Sequence, residues 1–224
     1  MATADKRNKP IVAVVYYSMY GHIATLAKSV VAGIEAAGAE ARVYQVPEIL
    51  SEDILKKMGA PPKDSSIPVI TDPSVLLEAD AIIFGISTRY GTMAGEMKSF
   101  MDSTGGLWKT GGLVGKIASV FCSTGSLGGG QETSILTMLP FITHHGMIFA
   151  PIGYTNPKLF EQTVHGGSPW GAGTLAADGS RQPSDAELDV ATHQGKLIAG
   201  YATSFKKGKA LQWFQLKYFF YFQC

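Results

Sequence analysis

Three loops in this chain carry residues suited to holding a small anionic ligand, and each follows a short apolar run. Ser18-Met19-Tyr20-Gly21-His22 comes after Ile11–Tyr17 and opens a helical pattern. Ser87-Thr88-Arg89-Tyr90-Gly91 follows Ala81–Ile86. Ser123-Thr124-Gly125-Ser126-Leu127-Gly128-Gly129-Gly130 follows Lys116–Cys122. Hydroxyls, open backbone N–H groups and a helix start together make a site for one phosphate. Strands that each end in such a loop gather the loops at the carboxyl edge of an open parallel sheet, where ligands bind. A flat aromatic cofactor with one phosphate is flavin mononucleotide (FMN), and the constellation predicts it.

Each loop also has a plainer reading. Ser18–Ile23 offers a hydroxyl, one glycine and the first amides of a helix, enough for a monophosphate without a lysine; it could equally be a strand–helix turn capped by Ser18. Tyr90 is placed to lie against a flavin ring, with backbone N–H groups facing its N5 and O4, while Arg89 could instead be a surface salt-bridge partner. The glycine-rich amides of Thr124–Gly130 suit the negative charge of a reduced flavin, or the loop is simply flexible. No G-x-G-x-x-G follows the first strand and no G-x-x-x-x-G-K-[ST] occurs, so dinucleotide and P-loop sites are disfavoured. A Ser–His–acid hydrolase is a poor fit, because there is no G-x-S-x-G elbow.

His144-His145 ends a predicted helix. A histidine there suits the helix dipole, or it donates a hydrogen bond or proton to a bound oxidant. Trp108 and Tyr154 lie in glycine-rich stretches, where they are either core or stacking walls over a flavin. His165 and His193 have no partner pattern and read as structural.

The elements that must position these groups alternate. Ile11–Tyr17 is a continuous, β-branched apolar run that suits a parallel strand covered on both faces. A helix with Ile23, Ala27, Val30, Val31 and Ile34 on one stripe ends near Gly38. Ala41–Val46, Ala81–Ile86, Lys116–Cys122 and Gly146–Pro151 complete five predicted strands. Short helices are expected near Glu52–Met58 and Ser74–Glu78, and longer ones over Glu96–Met101, Gln131–His144 and Asp185–Phe205, the last capped by Ser184 or Asp185. Gly105–Trp108 reads as an exposed glycine turn. Residues 153–184 are rich in Gly, Pro and Ser; a stretch that long inside one domain is functional or interfacial. The alternation predicts an α/β fold, a doubly wound five-stranded parallel sheet.

The 224 residues suit a single domain with flanking segments. A formal net charge of +1 gives no global field for nucleic acid or an acidic surface. Met1–Pro10 is polar and lacks an apolar segment, so no secretory signal is expected, and no run reaches the roughly 20 apolar residues a membrane span needs. The two cysteines, Cys122 and Cys224, have no metal-ligand spacing and exclude a disulfide framework. No metal site is expected, and the expected compartment is the cytosol.

Read together, these pieces resemble the WrbA type of flavodoxin-like NAD(P)H:quinone oxidoreductase. The matching blocks include Tyr16-Tyr17-Ser18-Met19-Tyr20-Gly21-His22-Ile23, Thr88-Arg89-Tyr90-Gly91, Thr104-Gly105-Gly106-Leu107-Trp108, His144-His145-Gly146-Met147, Pro151-Ile152-Gly153-Tyr154 and Asp178-Gly179-Ser180-Arg181-Gln182-Pro183-Ser184. The similarity spans about residues 11–208. It implies bound FMN, a homotetramer built as a dimer of dimers, and two-electron reduction of quinones by NAD(P)H, ping-pong in one pocket, with an antioxidant role. It maps phosphate and ribityl contacts onto Ser18, Tyr20, Gly21, His22 and Ile23. It maps ring contacts onto Thr88, Arg89, Tyr90, Gly91, Thr124 and Gly125, with Ser123 beside them. His145 and Trp108 correspond to residues lining the nicotinamide and quinone pocket, with the region around Trp108 packing at the FMN site between subunits; Tyr154 is the third catalytic candidate. The alternatives are an electron-carrier flavodoxin or a non-enzymatic partner or scaffold protein.

Two departures stand out. Leu127 is inserted where the family has Ser-Thr-Gly-Thr-Gly-Gly-Gly. Lys209–Cys224 lies beyond the resemblance, and seven of the twelve residues from Trp213 onward are aromatic. Three organisational units follow: a flexible 1–10, an FMN-binding domain over 11–208, and a tail over 209–224. The tail is an interfacial anchor giving peripheral membrane contact, an extra packing segment, or a product of altered splicing or read-through.

Overall fold

The computed structural model describes residues 9–208. The expectations for most of the N-terminal segment and for the aromatic tail lie outside the described residues.

Five parallel strands form the path β2-β1-β3-β5-β6: β1 Ile11–Tyr16, β2 Glu40–Gln45, β3 Ala81–Arg89, β5 Ile117–Thr124 and β6 Ile148–Phe149. This is the doubly wound order, with its switch point between β1 and β3. Two short strands extend the expected five. β4 (Thr92–Met93) folds back antiparallel on β3, and β7 (Gly173–Leu175) runs parallel to β5 beyond the end of β6.

Alternation along the strands divides the core. Val15, Ile82, Phe84, Ile86, Val120 and Cys122 face α3 (Gly95–Ser103) and α6 (Leu139–His144). Val14, Ile83, Ile117 and Phe121 face α1 (His22–Ala36) and α7 (Asp185–Gly208). α1 and α7 touch backbone to backbone: a Cβ on Gly195 would stand 2.1 Å from the Val30 carbonyl oxygen, and one on Gly33 2.0 Å from that of Thr192. Only glycine permits this approach, and it sets where the start of α1 reaches the sheet edge. α7 is also tied to β5, since Gln194 Nε2 donates to Ser119 Oγ at 2.8 Å and to the Val120 carbonyl at 3.0 Å.

α7 opens with a reciprocal box. Glu187 N donates to Ser184 Oγ, and Glu187 Oε2 accepts from Ser184 N at 2.7 Å, so Ser184 is the cap. The continuous helix expected over 131–144 is broken into α5 (Thr133–Leu136) and α6. Pro140 has no N–H for the preceding turn, so the helix restarts there. Gly105–Thr110 is a helix, α4, rather than a turn; Leu107 and Trp108 N–H groups donate to the Thr104 carbonyl, and buried Leu107 anchors it. α2 spans Glu52–Lys57, and short 3₁₀ turns cover Pro73–Glu78 and Pro157–Phe160. Among the described residues, no helix is long and apolar enough to cross a membrane.

Candidate functional site

The turn after β1 reverses at Gly21, whose φ of +90° a side chain would strain. α1 then begins at His22. Ser18 Oγ accepts from Ala24 N at 3.2 Å, so the capping role of Ser18 is real. It leaves the amides of His22 and Ile23 with no acceptor among the described residues. Those amides, with the positive end of the helix dipole, form an anion seat.

β3 runs past Ile86 to Arg89 and turns back through Tyr90 and Gly91 into β4. Both turn residues have positive φ, +54° and +79°, which is the two-residue hairpin that matches strand twist. The turn stands Tyr90 fully out in solvent at the rim. The Arg89 guanidinium donates to the Thr88 carbonyl at 2.9 Å and approaches Met19 Sδ at 3.6 Å. It pairs with no carboxylate among the described residues, so the salt-bridge reading is not what the structure shows.

β5 supplies the third wall with Ser123, Thr124 and Gly125, and β7 extends it. The Ala176 N–H donates to the Thr124 carbonyl at 2.7 Å, and residues 176–179 form a strap with Ala177 at φ +53°. These walls enclose a cavity of about 360 Å³ that is lined by Ser18, Met19, Tyr20, His22 and Ile23 from the first turn. Ser87, Thr88 and Arg89 line it from β3; Ser123, Thr124 and Gly125 from β5; and Ala176–Gly179 from the strap. Its size is that of a small-molecule site.

Two hydroxyls expected to face the ligand are already engaged. Thr88 Oγ1 lies 2.6 Å from Ser134 Oγ. Thr124 Oγ1 donates to the Ser126 carbonyl and accepts from Gln131 Nε2 at 2.7 Å. Ser87 Oγ is different: it is buried and has no partner among the described residues. His22 Nε2 sits 2.8 Å from the Arg181 carbonyl, which can only accept, so that nitrogen carries the proton. Asp178, in the strap, is held below the ordinary aspartate range by the Ser180 hydroxyl and amide.

The three catalytic candidates do not line this cavity within one chain. His145 is 5% exposed, with its ring edge-on to Phe141 at 4.7 Å. Thr104 Oγ1 gives its proton to the Met101 carbonyl at 2.6 Å, so it accepts from His145 Nε2 at 2.9 Å. That fixes the proton on Nε2 and leaves Nδ1 as a buried lone pair without a partner among the described residues. Burial first, and then His144, push the His145 pKa below its ordinary value. The neutral ring therefore accepts at Nδ1 rather than donating. Trp108 is 56% exposed on α4. Tyr154 is 61% exposed and stacks on Phe160 at 5.2 Å.

Sequence reasoning placed Ser87 and Met19 in the ligand loops but gave neither a contact, and it did not bring the strap to the site. The length of 153–184 flagged a functional segment, but not which part would reach the site. Ser87 was one residue past the predicted strand end; extending β3 places it on the Ile83 and Gly85 face.

The donor set fits FMN. There is an anion seat, a band of hydroxyl and amide groups, a guanidinium without a carboxylate and a buried hydroxyl without a partner among the described residues. Fold and site together define a flavodoxin-like mononucleotide-binding protein. The chain belongs to the NADPH-dependent FMN reductase family, whose model matches residues 18–157. It is 57% identical over 201 residues to quinone-oxidoreductase QR2 of Triphysaria versicolor, covering 88% of this chain and 97% of that protein. It is 50% identical over 202 residues to NAD(P)H quinone oxidoreductase PST2 of Candida albicans, covering 89% and 100%. Its fold is similar to that of a WrbA-like flavodoxin from Agrobacterium tumefaciens, with a TM-score of 0.61, 23% identity, and 88% and 99% of the two chains covered.

Proposed function

We propose that the protein is a flavoenzyme that reduces quinones with NAD(P)H, FMN being its cofactor. The observation that carries this is one cavity where, among the described residues, the His22 and Ile23 amides have no acceptor, the Arg89 guanidinium has no carboxylate and the Ser87 hydroxyl has no partner. Relatives that are 50–57% identical over nearly their whole lengths carry quinone oxidoreductase names, which supports the same reading.

Ser18, Tyr20, Gly21, His22 and Ile23 would hold the phosphate end. The α1 amides seat its charge, and Gly21 lets the backbone approach it. Thr88, Arg89, Tyr90, Gly91, Ser123, Thr124 and Gly125 would border the ring, with Arg89 offsetting negative charge that develops there. Bound FMN would supply two-electron redox chemistry between NAD(P)H and the quinone. Both substrates would use one opening in turn, which gives ping-pong kinetics.

Trp108 and Tyr154 present their rings outward, so they would wall the opening of a neighbouring subunit rather than their own. In that arrangement the protein would be a homotetramer with shared sites. His145 would serve as a hydrogen-bond acceptor at Nδ1. A cytosolic location fits this chemistry.

The test is NADH oxidation by the flavin-loaded protein with benzoquinone. Turnover at typical enzyme rates, tens per second, is expected. A carrier or scaffold protein would bind flavin and show almost none.

A further inference from the structure

We propose that Ser87 is a cofactor-binding residue, its hydroxyl pairing with the ribityl polyol of FMN; the inference rests on the FMN reading above. Ser87 is 8% exposed, its Oγ is buried without a partner, and the residue lines the cavity. A buried hydroxyl left unsatisfied is disfavoured, and groups of this kind find partners. Here the described residues supply none, although the neighbouring Thr88 and Thr124 hydroxyls both have partners from within.

Position selects which part of the cofactor Ser87 meets. β3 lies between β1, which leads into the anion seat, and β5, which leads into Gly125. Ser87 is in register with Ser123 across β3 and β5. By alternation it shares the sheet face of Ile83, the face covered by α1, so it stands on the side where the α1 amides seat the phosphate. A group joining that seat to the β5 wall crosses Ser87. In FMN the joining group is a chain of hydroxyls, each able to donate to or accept from a serine.

An orphaned hydroxyl also predicts two effects of opposite sign. Ser87→Ala removes the unsatisfied group from the flavin-free protein and removes a contact from the loaded one. The full chain, stripped of flavin, is titrated with FMN, riboflavin and lumiflavin by flavin fluorescence, and its urea midpoint is measured without ligand. S87A is expected to weaken FMN and riboflavin alike, about threefold to tenfold as for one net hydrogen bond, and to leave lumiflavin, which lacks the polyol, unchanged. The flavin-free midpoint should hold or rise. Unchanged FMN affinity overturns the proposal. So does a loss confined to FMN, which would assign the hydroxyl to the phosphate, or an equal loss for lumiflavin, which would assign it to the ring. A lower flavin-free midpoint overturns it too, because the hydroxyl would then be structural. If the unmutated protein binds none of the three, the cofactor assignment itself fails, and this proposal with it.

Discussion

His22 Nε2 donates to the Arg181 carbonyl at 2.8 Å, joining the first turn of α1 to the end of the strap that walls the cavity. Behind that bond lies a buried carboxylate. Glu187 accepts from Gly166 N, Leu175 N, Ser184 N, Thr174 Oγ1 and Arg181 Nη1, all at 2.7–3.1 Å. Arg181 Nη1 also donates to the Leu175 carbonyl at 2.6 Å. Leu175 and Arg181 bracket the strap, so one side chain on α7 holds both of its ends.

Glu187→Ala leaves Arg181 and three amides without their acceptor. Breaking a buried pair in this way costs about 3–5 kcal/mol, read as a lower urea midpoint, with weaker FMN binding because the strap loosens. Burial raises the Glu187 pKa, but Arg181 and the amides outweigh it and hold the carboxyl below the ordinary glutamate value. The stability it contributes is therefore complete above the unfolded value, about 4.3, and is lost as the pH falls through the lower folded value. Denaturation measured across pH 3–7 should show that acid loss in the unmutated protein. Glu187→Gln should lack this component; an unchanged acid limb in E187Q would remove Glu187 from the account.

Gly195→Ala tests how α1 is seated. The new Cβ would lie 2.1 Å from the Val30 carbonyl oxygen, a main-chain atom that cannot rotate aside. Forcing the helices apart costs about 1–3 kcal/mol or more, seen as a melting temperature lower by several degrees. FMN affinity should fall as well, since α1 carries the anion seat. A variant with unchanged melting and unchanged affinity would show that the contact is not the one that places α1.

The apolar runs ending in hydroxyls and glycine placed three walls of the cavity from sequence alone, because burial on both faces of a parallel strand leaves a continuous signal. What stayed illegible is non-local. β4 is two residues long and β7 three, too short for any periodicity to register. The strap reaches the site because β7 pairs with β5 and because Glu187 gathers donors from positions 166 to 184. Which hydroxyls face the ligand also depended on distant partners: Ser134 lies 46 residues from Thr88 and takes its hydroxyl. The break at Pro140, by contrast, was readable, and the apolar pattern across it masked the missing N–H.

His145→Ala should reduce quinone turnover more than flavin occupancy. With its proton fixed on Nε2 by Thr104, the ring offers Nδ1 as an acceptor. Loss of one positioned acid–base group costs about 10²–10⁴-fold in rate. Because burial and His144 lower its pKa, the neutral form persists to below the unfolded value, about 6.5. Stability linked to it is full above that value and falls with acid below it. Turnover that is unchanged with bound FMN would leave His145 a helix-end residue.

Removal of Lys209–Cys224 should leave the site intact, since the described residues lining the cavity, Ser18 to Gly179, already supply the anion seat and all of its walls. Truncated and full-length proteins are compared for FMN binding, benzoquinone reduction and co-sedimentation with liposomes. Equal turnover with reduced sedimentation is expected. Lost turnover would extend the catalytic domain into the tail, and equal sedimentation would end the membrane-contact reading.

Sharing of sites between subunits has a sharper test, because Trp108 does not line the cavity of its own chain. Gly21→Val should abolish FMN binding, since a β-branched residue cannot adopt a φ of +90° without strain. Trp108→Ala should keep FMN and lose much of its quinone turnover. Each protein alone would then be weak for a different reason. In a mixed assembly, a Trp108→Ala subunit contributes a loaded cavity and a Gly21→Val subunit contributes the missing indole. Co-refolded mixtures should therefore turn over faster, per bound flavin, than the Trp108→Ala protein alone. Light scattering on the same samples should report about four times the 23.9 kDa chain mass. Mixtures no faster than the Trp108→Ala protein, or a monomer with full activity, would confine the site to a single chain and return Trp108 to the surface of α4.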